Sequence, residues 1–462
     1  MILKYLADNF FLGKEYSINF ITQPYSIDSA LLRIRGYKHS LVQIIALSVA
    51  MNIKIKIKNP PLVSDTYIFI GIIQELGGKA FLEFNNLIID PTNICSETIP
   101  YKLSKQIHGS MYLTAALIVK LGRFKYYGSG GCQIGDIKEN GQRPINYIWE
   151  VMQKFNVEIK NSMTSVSGYA PESHLSSLEI NIMDFSTDKN SLSGPLVGGA
   201  TKTALILSTK CKKLTIFNPY LKTDVMDMLR LIKTLGKRVY YDNTVIIIED
   251  SDISQPNFGI VEFSLTECVS EIITYATLAI INNIPVRFMN LNKDVINFTL
   301  KSEFELLKNI GVKFNWENND LVIHNNNKIH YSHINVTPYG IQSDHHPFFS
   351  LILSRGNSPS SITEFVWKDR FKYVSNLQKL GFKIFSNNQT VNIIPSQPNP
   401  TKNIVLNGYD VRTTAITLLA SIYTKSEVII KNSEHILRGY SDLLGNLKKF
   451  GITIKYKKET QL

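Results

Sequence analysis

The stretch QELGGKAFLEFNNLIID, residues 74–90, predicts a helix end, a glycine cap and a β-hairpin in one short segment. Apolar residues three and four apart lead up to Leu76, and Gly77 suits the left-handed conformation that ends many helices. The same pattern recurs five times, with cap positions about 70 to 80 residues apart. The further segments are MQKFNVEIKN (152–161), KTLGKRVYY (233–241), KNIGVKFNW (308–316), QKLGFKIFS (378–386) and KKFGITIKY (448–456). We therefore interpret the chain as a six-fold internal repeat.

A second helix-then-strand segment precedes each of these helices, as in KHSLVQIIALSVAMNIKIKIKN (38–59) and RTTAITLLASIYTKSEVIIKN (412–432). Each unit then has the order helix, strand, helix, strand, strand. Three such units per domain predict an α+β fold in which sheets cover a shared helical core. We expect two pseudo-symmetric domains, one formed by residues 37–262 and the other by residues 1–36 together with 263–462.

Composition sets broad limits on function. The 44% hydrophobic content is sufficient for full cores, and no apolar run approaches the roughly 20 residues of a membrane span. The N-terminus lacks the pattern of a signal peptide, so we expect a cytoplasmic protein. Its four cysteines lie far apart without metal-ligand spacing, which predicts neither a disulfide framework nor a zinc site.

The formal net charge of +12 suits nucleic acids, anionic surfaces or anionic small molecules, and composition does not choose among them. The lysines are scattered, and no aromatic RNA-binding motif or recognition-helix signature is present. Nucleic-acid binding is therefore not favoured.

Cations stand at the predicted helix starts. A cation at a helix N-terminus opposes the helix dipole unless an anion is bound to both, so a group of them predicts an anion site between the domains. The alternative is a set of exposed charges at frayed helix ends. The residues concerned are Lys38, Arg143, Arg370, Arg412 and Arg438.

A glycine-rich loop, YYGSGGCQIGDIKENGQRPINYIW (126–149), surrounds Cys132. Glycines let a backbone approach a ligand, and Arg143 nearby favours a thiolate, so a reactive cysteine is predicted. A passive small residue in a surface loop is the alternative.

Two motifs are decoys. GPLVGGATKT (194–203) lacks the Gly-Lys-Ser/Thr of a phosphate-binding P-loop, because Ala-Thr separates Lys202 from Gly199. The run Asp344-His345-His346 is similar to a metal phosphoesterase signature, but the companion ligand motifs are not evident, and a polar helix start explains it. We predict no metal and no organic cofactor.

Several motifs together resemble those of the UDP-N-acetylglucosamine 1-carboxyvinyltransferases, and they occur in the same order. The resemblance covers about residues 28–456 and implies two inverted α/β prisms around an active-site cleft that closes on substrate. The motifs are GYKHS (36–40), GSGGCQIG followed by RP (128–144), GPLVGGAT (194–201), TPYGIQSDHHPFF (337–349), GYDVRTT (408–414) and EHILRGY (434–440).

The resemblance implies roles for individual residues. Lys38 and Arg143 would hold the phosphate of phosphoenolpyruvate, and Arg412 and Arg438 its carboxylate. Asp344 would be the base that deprotonates the acceptor hydroxyl.

Cys132 would act as an acid or form a covalent adduct with phosphoenolpyruvate, and Asp410 would assist proton transfer at the methylene carbon. Further substrate contacts are expected in the same cleft. They are Arg370, His39, His108, Pro144, Val197, Gly198 and Gly199.

The chain also departs from the family pattern. His39 stands where the family has Asn, His108 replaces a phosphate-binding arginine, and Cys268 replaces another arginine. The lysine that would meet the nucleotide diphosphate is lost near Pro195, and DIKENGQ (136–142) lengthens the cysteine loop. Donor handling is therefore predicted to be intact, whereas the acceptor is open.

Three function classes follow. The first is an enolpyruvyl transferase that uses UDP-N-acetylglucosamine, as in peptidoglycan precursor synthesis, or another nucleotide or sugar acceptor. The second is a catalytically silent paralogue that binds ligand. The third is a different enzyme on the same repeat, against which the cysteine loop argues.

Overall fold

The structure is a computed structural model that describes residues 17–19, 29–130, 145–171, 174–186, 198–251, 259–325, 328–399, 402–452 and 455–457. Short 3-10 helices span Gly109–Met111, Ile182–Phe185, Ser208–Lys210 and Ser433–Arg438. The α-helices are α1 (Lys38–Ala50), α2 (Ser64–Glu75), α3 (Tyr101–Ser104), α4 (Tyr112–Leu121), α5 (Asn146–Lys154), α6 (Gly198–Leu207), α7 (Thr223–Thr234), α8 (Val269–Asn282), α9 (Lys293–Thr299), α10 (Lys301–Asn309), α11 (His346–Leu353), α12 (Tyr373–Lys379), α13 (Val411–Thr424) and α14 (Leu443–Lys449).

Strands alternate with these helices throughout the described part of the chain. They are β1 (Ser17–Asn19), β2 (Ala30–Leu32), β3 (Ile55–Lys58), β4 (Lys79–Glu83), β5 (Asn86–Asp90), β6 (Arg123–Tyr126), β7 (Glu158–Asn161), β8 (Val166–Tyr169), β9 (Leu175–Asn181), β10 (Cys211–Phe217), β11 (Arg238–Tyr241), β12 (Val245–Glu249), β13 (Val261–Ser264), β14 (Val286–Phe288), β15 (Phe314–Glu317), β16 (Asp320–Ile323), β17 (His333–Val336), β18 (Ser360–Glu364), β19 (Lys383–Asn387), β20 (Thr390–Ile394), β21 (Ile404–Asn407), β22 (Val428–Lys431) and β23 (Lys455–Lys457).

The strands form six sheets within the described ranges, one for each repeated unit. Four of the sheets share one arrangement. The strand that follows the first helix of the unit pairs antiparallel with a β-hairpin on one side. On its other side it pairs in parallel with a strand from elsewhere in the chain. The strand orders are β13-β3-β5-β4, β6-β8-β7, β11-β12-β10-β9, β15-β16-β14-β2, β17-β18-β20-β19 and β21-β22-β1-β23. The predicted six-fold repeat and its α+β fold are confirmed.

The predicted helix caps also take the expected conformation. Gly77, Gly236, Gly311 and Gly381 have φ angles of 100°, 91°, 88° and 88°. Asn156 occupies the equivalent place with φ 60°. Residues with a Cβ are strained there, Asn less than most, which is why these two residue types mark the repeat.

Two clusters of buried apolar side chains form the cores of the two domains. The first runs from Leu41 to Leu265 and includes Val295. The second joins Ala30–Tyr37 to Cys268–Ile452. We propose domain limits near residues 37 and 262, and this division of the buried side chains supports them.

The chain crosses between the cores at two neighbouring segments that bond to each other. The amide of Tyr37 donates to the Thr266 carbonyl at 2.8 Å, and the amide of Cys268 donates to the Arg35 carbonyl at 2.8 Å. Between them Gly36 pairs with Glu267. A Cβ on Gly36 would lie 2.5 Å from the Asn59 carbonyl oxygen, so this crossing has no room for a side chain. The helices α1 and α8 begin directly after this crossing, at Lys38 and Val269.

No helix among the described residues combines the length and apolarity that a membrane crossing needs.

Two of the predicted helix starts are displaced. Arg438 ends the 3-10 helix Ser433–Arg438, and the next helix begins only at Leu443, where the Asp442 side chain accepts from the Gly445 amide at 3.1 Å. Arg370 lies three residues before α12. Lys38 and Arg412 therefore lie in first turns, against the helix dipole, whereas the prediction of a helix start was wrong for Arg438 and Arg370.

Candidate functional site

Lys38, the first residue of α1, bonds to the second domain through the Nζ atom of its side chain. That atom donates to Asp65 Oδ2 at 3.0 Å and to the Arg438 carbonyl oxygen at 2.8 Å. Arg438 Nε in turn donates to Asp65 Oδ1 at 3.3 Å. Burial would raise the pKa of Asp65, but the charges and hydrogen bonds of Lys38 and Arg438 outweigh it and lower that pKa. We call these three residues the Lys38 cluster.

Asp344 forms a second cluster between two arginines. Arg370 Nη2 donates to its Oδ1 at 2.5 Å, and Arg412 Nη2 donates to its Oδ2 at 3.2 Å. Both arginines are 8% exposed, whereas the Asp344 side chain is 36% exposed and so stays accessible from solvent. Burial would raise the pKa of Asp344, but Arg412 and Arg370 hold it well below its ordinary value. This set is the Asp344 cluster.

Asp410 fixes the start of α13, the helix that carries Arg412. Its Oδ1 accepts from the amides of Arg412 and Thr413, both at 2.8 Å, and its Oδ2 accepts from the Thr413 hydroxyl at 3.1 Å. This is the bonding of a helix N-cap. Arg412 Nη1 also donates to the Tyr440 hydroxyl at 3.4 Å. Asp410 therefore fixes the backbone at Arg412.

His39 lies within electrostatic reach of both clusters. Its ring packs edge-on to that of Tyr37, with centroids 5.0 Å apart. Burial first, and then the charge of Lys38, lower the pKa of His39 to about 4, although Asp224 and Asp344 act in the opposite direction. The imidazole is therefore neutral at pH 7 and adds no cation to the cleft.

Lys202 and Asp224 form a third ion pair that the sequence analysis did not assign to the site. Lys202 Nζ on α6 donates to Asp224 Oδ2 at 2.9 Å, and the Asp224 side chain is 8% exposed. In the sequence, Lys202 stands out only as part of the motif that lacks a true P-loop pattern. The signal that could have paired them is the repeat itself, because Lys38 and Asp65 stand near the equivalent helix starts of another unit.

Gly198 and Gly199 begin α6 against two tyrosine rings. A Cβ on Gly198 would lie 2.5 Å from Tyr220 Cδ1, and one on Gly199 would lie 2.3 Å from Tyr147 Cε2. Only glycine allows these rings to approach the helix end. The rings of Tyr147 and Tyr220 therefore pack against the start of α6, the helix that carries Lys202.

His108 contacts the beginning of the glycine-rich loop. Its Nδ1 lies 3.3 Å from the Ser129 hydroxyl, three residues before Cys132. His108 also precedes the 3-10 helix Gly109–Met111, which leads into α4. The predicted residues Cys132, Arg143, Pro144 and Val197 lie outside the described residues.

The cations of the Lys38 cluster and the Asp344 cluster can bind one anionic ligand together. The Lys38 cluster holds one lysine and one arginine around one carboxylate, and the Asp344 cluster holds two arginines around another. Arrays of this kind bind small dianions, because guanidinium forks fix oxyanions in one orientation. Among the described residues no group of three or more histidine, cysteine or acidic side chains is placed to hold a metal ion.

The chain is similar to known proteins over most of its length. The family model described as EPSP synthase (3-phosphoshikimate 1-carboxyvinyltransferase) matches residues 22–447. A UDP-N-acetylglucosamine 1-carboxyvinyltransferase of Thermotoga petrophila is 27% identical, over 92% of this chain and 95% of the relative. One from Pelagibacter ubique is 24% identical, over 92% of this chain and 96% of the relative.

Solved structures give the same result. The enolpyruvyl transferase NikO from Streptomyces tendae superposes with a TM-score of 0.85 at 25% identity, covering 96% of this chain and all (100%) of that one. EPSP synthase from Acinetobacter baumannii superposes with a TM-score of 0.71 at 13% identity, over 96% of this chain and 100% of that chain, and that likeness shows the fold alone.

Proposed function

Because the chain belongs to the EPSP synthase family and is an enolpyruvyl transferase, we propose that it moves the enolpyruvyl group of phosphoenolpyruvate to a hydroxyl of UDP-N-acetylglucosamine, with release of phosphate. The observation that carries this proposal is the pair of cation clusters at the junction of the two domains. Lys38 and Arg438 come from different domains, yet share the carboxylate of Asp65.

The donor suits these clusters chemically. Phosphoenolpyruvate brings about three negative charges on a phosphate and a carboxylate, and two separate cation groups can hold the two ends. Lys38, with Arg143, would bind the phosphate, and Arg412, with Arg438, the carboxylate. Bound in this way, the enol carbons lie in a fixed orientation toward the acceptor.

Asp344 is the proposed base. Its carboxylate is exposed to the cleft, but Arg370 and Arg412 make it a weak base while both contacts persist. A substrate anion competes for the same guanidinium groups, and each contact that Asp344 loses raises its pKa. Donor binding therefore prepares Asp344 to take the proton of the acceptor hydroxyl.

The rest of the reaction needs an acid. The acceptor oxygen bonds to C2 of phosphoenolpyruvate while C3 takes a proton, and the intermediate then loses phosphate and a C3 proton to restore the double bond. Cys132 would supply the proton or form a covalent adduct with the donor. Asp410 would assist proton transfer at the methylene carbon.

The proposed acceptor rests on the relatives and on two further lysines. The names of the relatives favour UDP-N-acetylglucosamine. Lys202, beside Tyr147 and Tyr220, and Lys222, whose Nζ lies 3.5 Å from the Gly340 carbonyl oxygen, are cations suited to an anionic acceptor that carries a ring.

A second acceptor class is favoured by His39. The family has Asn at this position, whereas here a neutral imidazole follows Lys38 and lies within electrostatic reach of Asp344. A different nucleotide or sugar acceptor would accommodate this change together with His108. A catalytically silent binding paralogue is the remaining alternative.

The experiment is phosphate release from phosphoenolpyruvate by the purified protein, with UDP-N-acetylglucosamine, other UDP-sugars, UMP and shikimate 3-phosphate as separate acceptors. Release with UDP-N-acetylglucosamine supports the first proposal, and release with another acceptor supports the second. No release with any acceptor, despite calorimetric binding of phosphoenolpyruvate, would identify a silent paralogue. The Cys132→Ser variant controls for contaminating phosphatase.

A further inference from the structure

Glu303 is a fully buried carboxylate on α10 that contacts the chain on both sides of Asp344. Its Oε1 accepts from the Gln342 amide at 2.9 Å and from His345 Nδ1 at 2.8 Å. Gln342 lies two residues before Asp344, and His345 follows it. One carboxylate oxygen therefore holds both ends of a four-residue loop.

A chain of hydrogen bonds runs from Glu303 through His345 to Ser270. Because an ionised carboxylate only accepts hydrogen bonds, Nδ1 of His345 carries the proton. The other ring nitrogen, Nε2, lies 3.2 Å from the Ser270 hydroxyl on α8. Glu303, His345 and Ser270 are each 0% exposed, so this chain of contacts lies away from water, where hydrogen bonds to charged groups are strong.

A second buried carboxylate, that of Glu364, also bonds to this loop. The Ser343 hydroxyl donates to Glu364 Oε2 at 2.5 Å, and Arg370 Nη2 donates to the Ser343 carbonyl at 3.2 Å. The two carboxylates thus hold residues on both sides of Asp344, whose own side chain stays 36% exposed.

Glu303 is ionised although its Oε2 has no hydrogen-bond partner among the described residues. Neighbouring groups explain the ionised state. Burial would raise the pKa of Glu303, but the contacts with His345 and the charge of Lys222 outweigh it and lower that pKa. Lys222 comes from the first domain, so the domain contact also favours the ionised carboxylate.

We propose that Glu303 is a positioning residue for the reaction, one that fixes the backbone on both sides of Asp344 and so aims its carboxylate at the acceptor hydroxyl. The inference rests on the proposed function, in which Asp344 is the base. Proton transfer needs the base within hydrogen-bond reach, and a displacement of about 1 Å can cost about a hundredfold in rate. Glu303 itself touches no substrate.

The test compares Glu303→Leu with Glu303→Gln. Leucine leaves the Gln342 amide and His345 Nδ1 without their acceptor, whereas the amide oxygen of glutamine can accept from both. We expect Glu303→Leu to lower kcat at least tenfold while the KM for phosphoenolpyruvate changes less than threefold. Glu303→Gln should keep kcat within about threefold of the unmodified protein.

Ser350→Ala is the matched control. Ser350 lies on α11, is 0% exposed and bonds to the Tyr373 hydroxyl at 2.7 Å, so its loss removes a buried hydrogen bond without touching residues 342–345. Equal effects of Ser350→Ala and Glu303→Leu on kcat would show that Glu303 contributes only to stability. Should Glu303→Leu fail to fold, His345→Leu, which removes one of the two contacts, takes its place.

A crystal structure of the Glu303→Leu variant separates this inference from the proposed function. If the unmodified protein releases no phosphate with any acceptor, the proposed function fails, and the structure still decides the positioning role. Displacement of Asp344 from Arg370 supports positioning. An Asp344 carboxylate still bonded to both arginines would overturn it.

Discussion

Lys38 Nζ donates a 2.8 Å hydrogen bond to the carbonyl oxygen of Arg438, 400 residues further along the chain. Lys38 begins a helix of the first domain, and Arg438 ends a turn of the second. A cation site assembled from both domains responds to their separation, since opening the cleft would part the lysine from the arginine. The donor would therefore bind best when the domains are together.

Substitution of Lys38 tests the donor site. Lys38→Ala should raise the KM for phosphoenolpyruvate about tenfold or more, because charge-assisted hydrogen bonds contribute about 1.5 to 3 kcal/mol each. Lys56→Ala is a matched control, since Lys56 pairs with Glu262 at 3.0 Å, the same distance as Lys38 to Asp65, on the surface of a sheet. Equal KM values for the two variants would contradict a donor role for Lys38.

Asp344→Asn tests the base. The amide cannot take the hydroxyl proton, so kcat should fall by about 10² to 10⁴. Binding of phosphoenolpyruvate, measured by calorimetry, should not weaken, because the substitution removes a carboxylate that competes for Arg370 and Arg412. Turnover close to that of the unmodified protein would remove Asp344 as the base.

Asp410→Ser separates helix capping from catalysis. Serine is a good N-cap, so the unfolding free energy should change by less than about 1 kcal/mol. If Asp410 also assists proton transfer, kcat should fall about a hundredfold despite the intact fold. A variant that keeps both its thermal stability and its kcat would show that Asp410 acts only as the cap of α13.

His39 predicts a pH dependence of stability. Its pKa is about 4 in the folded protein and near 6.5 in an unfolded chain, so the unfolded state takes up the proton first as the pH falls. Its stabilising contribution is complete above pH 6.5 and is lost between pH 6.5 and about 4. The loss should be of order 2 kcal/mol, because His39 is only partly buried and solvent weakens the effect.

His39→Asn should remove that dependence. Denaturant unfolding at pH 7.0 and pH 4.5 should show a smaller loss of stability on acidification for this variant than for the unmodified protein. His333→Asn, at an exposed surface histidine, provides the control. The same acid-induced loss in His39→Asn and in the unmodified protein would contradict the assignment.

The sequence predicted the repeat well, because its signal is local. A helix end, a left-handed cap and a hairpin turn are each encoded within a few residues, and Gly77, Gly236 and Asn156 mark them. The positions of Lys38 and Asp344 followed from motif order. Pairing was harder to predict, since Asp65 and Arg438 meet only when two distant units pack together.

The turn at Arg438 shows a second limit. A helix was predicted to begin there, but Asp442 caps the helix that starts at Leu443 and leaves Arg438 in the preceding 3-10 turn. Glu303 lies in no motif, and Lys202 lies in one that gave no indication of its partner Asp224. Their roles depend on burial and on contacts across elements, which periodicity does not encode.

The most direct measurement is the mass of the acceptor after incubation with phosphoenolpyruvate and the purified protein, with phosphate release followed in parallel. We expect UDP-N-acetylglucosamine, or another acceptor of the panel, to gain one enolpyruvyl group for each phosphate released, and Asp344→Asn to slow both by about 10² to 10⁴. Phosphate release without a modified acceptor, or no reaction with any acceptor, would contradict enolpyruvyl transfer by this chain.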